Sequence, residues 1–240
     1  MFLSIVEAGR GPRLRSGSWT RWTESDVSVA RYGVPRFPSP WGAVRYHRNS
    51  MRVIAGLYRS RPLTAPKGLD TRPTYDRLRE TLFNVLAPRL AGSVFVDLYA
   101  GSGANGIEAL SRGSRFAYFV ETGEPALDAI RANLGSLGIK GMYGLEPRTV
   151  SSFLRRSAAN VLKTGQTFDI VFLDPPYDSL TEYSSTLELL GGEASRVLNE
   201  NSVVVVEHQR RSPLGASYGG LRRYRVLEQR DSALGFYSLG

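Results

Sequence analysis

The sequence predicts a doubly wound, Rossmann-like α/β fold built on a mainly parallel, seven-stranded sheet. Three observations carry this. From residue 94 onward, apolar runs of strand length alternate with amphipathic stretches of helix length. Residues 168–177, FDIVFLDPPY, place four apolar residues after Asp169, as in a strand covered on both faces, and end on a sharp stop. Gly101, Gly103 and Gly106 form G-x-G-x-x-G between a predicted strand and a predicted helix.

At 240 residues and 42% hydrophobic content, the chain can bury one large core with a small appendage. The first 50 residues hold all three tryptophans (Trp19, Trp22, Trp41) and eight arginines among scattered Gly, Ser and Pro, with no helical or strand period. They read as a disordered basic extension, or as a misassigned start ahead of Met51; a nucleic-acid tail with stacking tryptophans is the functional alternative. Residues 51–70 read as a short β ribbon carrying Arg52, Arg59, Arg61 and Lys67, with Tyr58 among them. Four such cations suit phosphate contacts, or simply a solvated basic hairpin. A helix follows from Thr74, a candidate N-cap, with the stripe Leu78, Leu82, Phe83, Val85 and Leu86, and Pro88 is expected to stop it. Arg72 lies just before that helix. Residues 51–90 thus form a basic N-terminal subdomain, and 91–240 the catalytic domain.

The alternation then runs strand 94–98, helix 104–112, strand 116–121, helix 125–135, strand 142–146, helix 150–162, strand 169–174, helix 184–190 and strand 202–208. Two last alternating stretches, 224–228 and 234–239, are expected to pair antiparallel.

Residues 1–90 hold 16 Lys/Arg against 6 Asp/Glu, and residues 91–240 hold 15 against 16, so the net charge of +9 belongs to the front of the chain. A basic arm before a nearly neutral body suits a polyanionic partner. The chain has no cysteine and only two histidines, His47 and His208, which excludes disulfides and thiolate metal sites and disfavours zinc. No metal is expected. There is no apolar run of about 18 residues, and the opening nine residues include Glu7, so neither a membrane span nor a signal peptide is expected, and the localisation implied is cytoplasmic.

The glycine loop by itself fits a dinucleotide site. Glu121 ends the next strand 20 residues after Gly101, where an acid can take ribose hydroxyls. Asp97 changes the reading. It sits inside the strand end, four residues ahead of Gly101, where a pyrophosphate would meet a negative charge but the ammonium and sulfonium of S-adenosylmethionine would be stabilised. Asp174, Pro175, Pro176 and Tyr177 stand past the carboxyl end of the later strand, where open α/β sheets bind ligands; taken alone they would also make an ordinary Asp-Pro turn. Without cysteine to add to a pyrimidine ring, methyl transfer here must go to nitrogen or oxygen rather than to ring carbon.

Residues 51–240 resemble the bacterial small-subunit ribosomal RNA guanine-N2 methyltransferases, the RsmD family of class I S-adenosylmethionine-dependent methyltransferases. The matching segments are R-V-I-A-G at 52–56, T-R-P-T-x-D-R-x-R-E-x-L-F-N at 71–84, D-L-Y-A-G-S-G at 97–103, G-x-E-A-L-S-R-G at 106–113, V-E at 120–121 and D-P-P-Y at 174–177. Three departures stand out: Tyr75 replaces a usual threonine, Asn105 a usual leucine, and residues 148–150 lack the aspartate that often meets the adenine amino group. The resemblance implies methylation of the guanine N2 at position 966 of 16S ribosomal RNA, acting on that RNA or on the assembling 30S subunit, by a monomer. It implies cofactor contacts from Asp97, Ala100, Gly101, Ser102, Gly103, Glu121 and Asn84, and catalysis by Asp174, Pro175, Pro176 and Tyr177. RNA phosphates fall to Arg52, Arg59, Arg61, Lys67 and Arg72. The competing readings are an amino-methyltransferase of DNA (adenine N6 or cytosine N4) or of another RNA, a non-enzymatic RNA-binding assembly factor on the same scaffold, and an NAD oxidoreductase, which Asp97 disfavours.

Overall fold

The computed structural model describes residues 51–66, 74–176, 180–212 and 214–240. The expectations for residues 1–50, Lys67, Arg72 and Tyr177 lie outside the described residues. Five helices and eight strands follow in chain order: α1 (Thr74–Leu90), β1 (Val94–Leu98), α2 (Ala104–Ser111), β2 (Phe116–Glu121), α3 (Glu124–Leu137), β3 (Tyr143–Pro147), α4 (Val150–Thr164), β4 (Phe168–Leu173), α5 (Leu180–Gly191), β5 (Leu198–Gln209), β6 (Ser217–Tyr218), β7 (Leu221–Gln229) and β8 (Ser232–Leu239). Among the described residues one sheet contains all eight strands, in the order β3-β2-β1-β4-β5-β8-β7-β6. The first five are parallel and the last three join antiparallel. The expected sheet is therefore present with one strand more, the two-residue β6 at the edge, too short to carry a periodic signal.

Side-chain alternation sets the layers. Val94, Val96, Leu98, Val171, Leu173, Val204 and Val206 pack on the side of α4 and α5. Phe95, Ile170, Phe172, Val203 and Val205 face α1. Phe119 and Ala117 meet Ile107 of α2 and Ile130 and Leu134 of α3. The central strands β1 and β4 are buried on both faces, which is why their sequences are apolar without a break.

One local expectation is corrected and another is sharpened. Pro88 does not stop α1: the helix runs to Leu90, which is 2% exposed. Proline in that last turn withholds only the N–H that would meet the carbonyl of exposed Asn84, where water can serve instead. The ribbon expected within 51–70 is present in short form among the described residues: Arg52 and Pro62 make an antiparallel bridge, Val53 N donates to Arg61 O and Leu63 N to Met51 O. Its outer turn is seated on α2. Ile54 N and Ala55 N donate to the carboxylate of Glu108 at 2.7 and 3.0 Å, Leu57 N donates to Ser111 O, and Ser111 Oγ donates to Ala55 O. The segment is a strap laid on α2. At its bend, Gly56 has φ +84°, and a Cβ there would stand 1.9 Å from Ser111 O, so only glycine fits.

Candidate active site

The chain leaves β1 for β2 and β3 on one side, then returns to β4 on the other side of β1. Adjacent strands β1 and β4 therefore send their outgoing loops apart, opening a crevice at their carboxyl ends. Leu98 lies opposite both Leu173 and Val120, so the glycine loop, the residues after β4 and the end of β2 converge on one rim.

Tight backbone turning shapes the loop after β1. Tyr99, Gly101 and Gly103 all have left-handed φ, of 63°, 54° and 75°. For tyrosine this conformation is costly, and its ring is tied down: Tyr99 Oη donates to Glu182 Oε2 at 2.8 Å and lies 2.8 Å from Thr186 Oγ1, both on α5. Ala100 N donates to Val120 O, and Gly103 N to Ala100 O, closing the turn. Gly106 answers a packing need, because a Cβ there would come within 2.3 Å of the Phe119 ring. Asn133 of α3, 1% exposed, fastens the loop from behind: its amide nitrogen donates to Ser102 O and Thr64 O, and its oxygen accepts from Thr64 N.

Three carboxyl groups stand near the carboxyl ends of three neighbouring strands, β1, β4 and β5. Asp97, flanked by Val96 and Leu98 on the opposite side, accepts from Gly106 N at 2.9 Å and is 1% exposed. Burial pushes its carboxyl up from 3.8 to about 8, the Gly106 N–H and the Arg79 charge oppose the rise, and Glu121 adds to it. Asp174 follows β4 and is partly buried. Burial first, then the charges of Glu207 and Asp97, hold it well above the usual carboxylate range. Glu207, 6% exposed, ends the same series on β5. Arg79 of α1 is the cation of this cluster; it is 7% exposed and its Nη2 donates to Arg52 O at 2.8 Å. Neither Arg79 nor Glu207 was singled out by sequence reasoning, nor were Tyr99 and Asn133.

The remaining expected residues divide. Glu121 stands at the rim, where its Oε2 accepts from Gly101 N and its Oε1 from Thr122 N and Gly123 N. A carboxylate offers about four acceptor positions, so one remains for a ligand hydroxyl. The Pro175 carbonyl accepts from Tyr183 Oη at 3.2 Å, which leaves it a second lone pair; Pro176 is exposed. Asn84 is not brought to the crevice. It is exposed on α1, five residues beyond Arg79, which on a helix is about 140° round and about 7.5 Å further along. Arg52 lies by its backbone beside Arg79. Arg61, level with Val53 across the ribbon, donates through Nη2 to Ser136 O, one turn beyond Asn133 on α3. Arg59 belongs to the bend, where Leu57 N donates to Ser111 O at the end of α2, and is carried away from the rim. Past β3, Arg148 pairs with Glu146 at 2.7 Å and Thr149 caps α4 through Ser152 N. Among the described residues, no group of three or more acidic or histidine side chains is placed to hold a metal ion.

The family described as conserved hypothetical protein 95 matches residues 51–238. The chain belongs to this family. Its relatives include ribosomal RNA small subunit methyltransferase D of Haemophilus influenzae, 34% identical over 171 residues, or 70% of this chain and 83% of that protein. YlbH of Bacillus subtilis is 36% identical over 171 residues, covering 71% of this chain and 89% of the relative. Among solved structures, yhhF of Escherichia coli superposes with a TM-score of 0.65 at 29% identity, covering 79% of this chain and 98% of that one. The RsmD resemblance drawn from the motifs is thus the family found, and the doubly wound sheet is the fold of its structural neighbours. The family match starts at Met51, where the strap begins.

Proposed function

We propose that this chain is an S-adenosyl-L-methionine-dependent ribosomal RNA methyltransferase that methylates the exocyclic N2 of a guanine in small-subunit ribosomal RNA, the guanine at 966 of 16S RNA being the target its resemblance implies. One observation carries this reading: the Asp97 glycine turn and the Asp174-Pro175-Pro176 segment emerge from adjacent parallel strands into one crevice. The named relatives supply the RNA class.

The residues fit the cofactor. S-adenosyl-L-methionine supplies an electrophilic methyl on a sulfonium, next to an ammonium group. Asp97 is a buried carboxyl lifted toward neutrality, and a cation placed at the Ala100–Gly103 turn would restore its charge without drawing in water. Backbone N–H groups of that turn, with Ser102, receive the carboxylate end. Glu121 takes a ribose hydroxyl with its open acceptor position. In the absence of an acid at 148–150, backbone after β3 meets the adenine.

Guanine N2 is a poor nucleophile because its lone pair is delocalised into the ring. Asp174 and the Pro175 carbonyl accept its two hydrogens and turn the lone pair toward the methyl carbon, so that catalysis is chiefly positioning and electrostatics. Pro176 stiffens the segment, and Tyr177 stacks on the extruded base, a contact worth about 1–3 kcal/mol. Arg52, Arg59 and Arg61, with Lys67 and Arg72 of the same basic stretch, meet RNA phosphates; Arg59 reaches an RNA that extends down the outer side of α2.

Asp174→Ala is expected to slow single-turnover methyl transfer to small-subunit ribosomal RNA by a hundredfold or more while the calorimetric affinity for the cofactor stays within about threefold. A variant that transfers at the wild-type rate removes Asp174 from the chemistry.

A further inference from the structure

The buried acid Glu207 has no part in the mechanism above, yet the sheet delivers it to the reacting centre. Leu173 of β4 lies opposite Val206 of β5, and both face α4 and α5. Phe172 and Val205, one residue earlier, face α1. Alternation by two carries Asp174 and Glu207, the next residues on each chain, to the α1 side together. Parallel neighbours stand ~4.8 Å apart, so the two carboxyl groups share one site. Two carboxylates at such separation cannot both ionise in a buried setting, and one proton is retained between them.

We propose that Glu207 is a positioning residue for the methyl transfer: it holds the proton of an Asp174–Glu207 pair and donates it to one Asp174 oxygen, leaving Asp174 the ionised member that accepts from the guanine amine. The inference rests on the methyltransferase reading of the crevice. The groups acting on the pair from other elements are Asp97 on β1, itself opposed by the Arg79 charge of α1, and the hydroxyl of Tyr183 on α5, whose proton is held more tightly by burial and by the charges of Asp174 and Glu207. His208, the next residue of β5, is buried and bonds through Nδ1 to Gln209 O. During transfer the N2–methyl bond forms as the donor carbon–sulfur bond breaks, its electron pair staying on sulfur. The amine proton passes to Asp174. The pair then carries two protons, and one must leave before the next turnover.

The test compares the full-length wild type, Glu207→Gln and Glu207→Leu. The Asp174 carboxyl is titrated by carbon-13 NMR, and single-turnover rates with small-subunit ribosomal RNA are measured against pH. Glutamine keeps a neutral donor at the position. It is expected to convert a two-step titration of the pair into one step and to keep the rate within about threefold on the acidic side. Leucine removes both the donor and the charge beside Asp174, and is expected to leave a single Asp174 step displaced from the wild-type one, with about a tenfold loss of rate because Asp174 is no longer held toward the amine. Cofactor affinity should hold in both, which reports an intact fold. An Asp174 titration that is the same in all three proteins overturns the proposal, as does a glutamine variant as impaired as leucine. Coupled titration without methyl transfer to any nucleic acid would leave the pair standing and remove the functional reading instead.

Discussion

Asp97 is the side chain on which the proposed cofactor site rests most heavily. Its carboxyl rises to about 8 in the folded chain from an ordinary 3.8, so the folded state binds the proton more tightly than the unfolded one. The stability this group lends is complete below its ordinary value, declines as pH rises and is gone above about 8. A cation at the glycine turn binds the ionised form and displaces the proton. Cofactor affinity should therefore rise about tenfold per pH unit below 8 and level off above it. Asp97→Asn, which keeps an acceptor for Gly106 N, should bind at least tenfold more weakly, with no such slope, in calorimetry across that range. A wild-type affinity independent of pH would contradict the assignment. Asp97 was legible because a carboxylate inside an apolar strand end has no ordinary explanation. Arg79 was not, since Arg77 and Arg79 look alike in the sequence, and only the seating of α1 buries one and exposes the other.

At the scale of elements, periodicity located every helix and strand of the sheet except β6, because the interior strands had to be apolar on both faces and the helices on one. The short ribbon at the front was legible as well, but not the surface it lies on, because Glu108 is 54 residues from Ile54. Two of the motifs that carried the family resemblance, at 52–56 and 106–113, are thereby explained as the two sides of one contact. Glu108 is fully buried, accepts from two backbone N–H groups and pairs with Arg112 at 2.7 Å. Glu108→Gln exchanges one acceptor for a donor facing those N–H groups. A loss of about 1–3 kcal/mol is expected in denaturant unfolding, with faster hydrogen exchange at Ile54 and Ala55. Unchanged exchange there would mean the strap does not depend on that carboxylate.

For the molecule as a whole, the sequence placed the glycine turn, Glu121 and the Asp-Pro-Pro segment at strand ends, and the strand order explains why they meet: the chain reverses between β1 and β4. Strand order is invisible to periodicity, since every parallel strand reads alike. The bend of the ribbon is equally invisible: Arg52, Arg59 and Arg61 lie within ten residues, yet Arg59 is carried toward the end of α2 while Arg61 stays level with Val53. The central claim is amino-methyl transfer to ribosomal RNA from this crevice. It is tested most directly by following tritium from labelled S-adenosyl-L-methionine into assembled small ribosomal subunits, naked small-subunit RNA and DNA in parallel, with digestion to nucleosides. Label in N2-methylguanosine from the ribosomal substrates, and none in DNA, is the predicted result; label in DNA adenine or cytosine, or no transfer to any of the three, would contradict it.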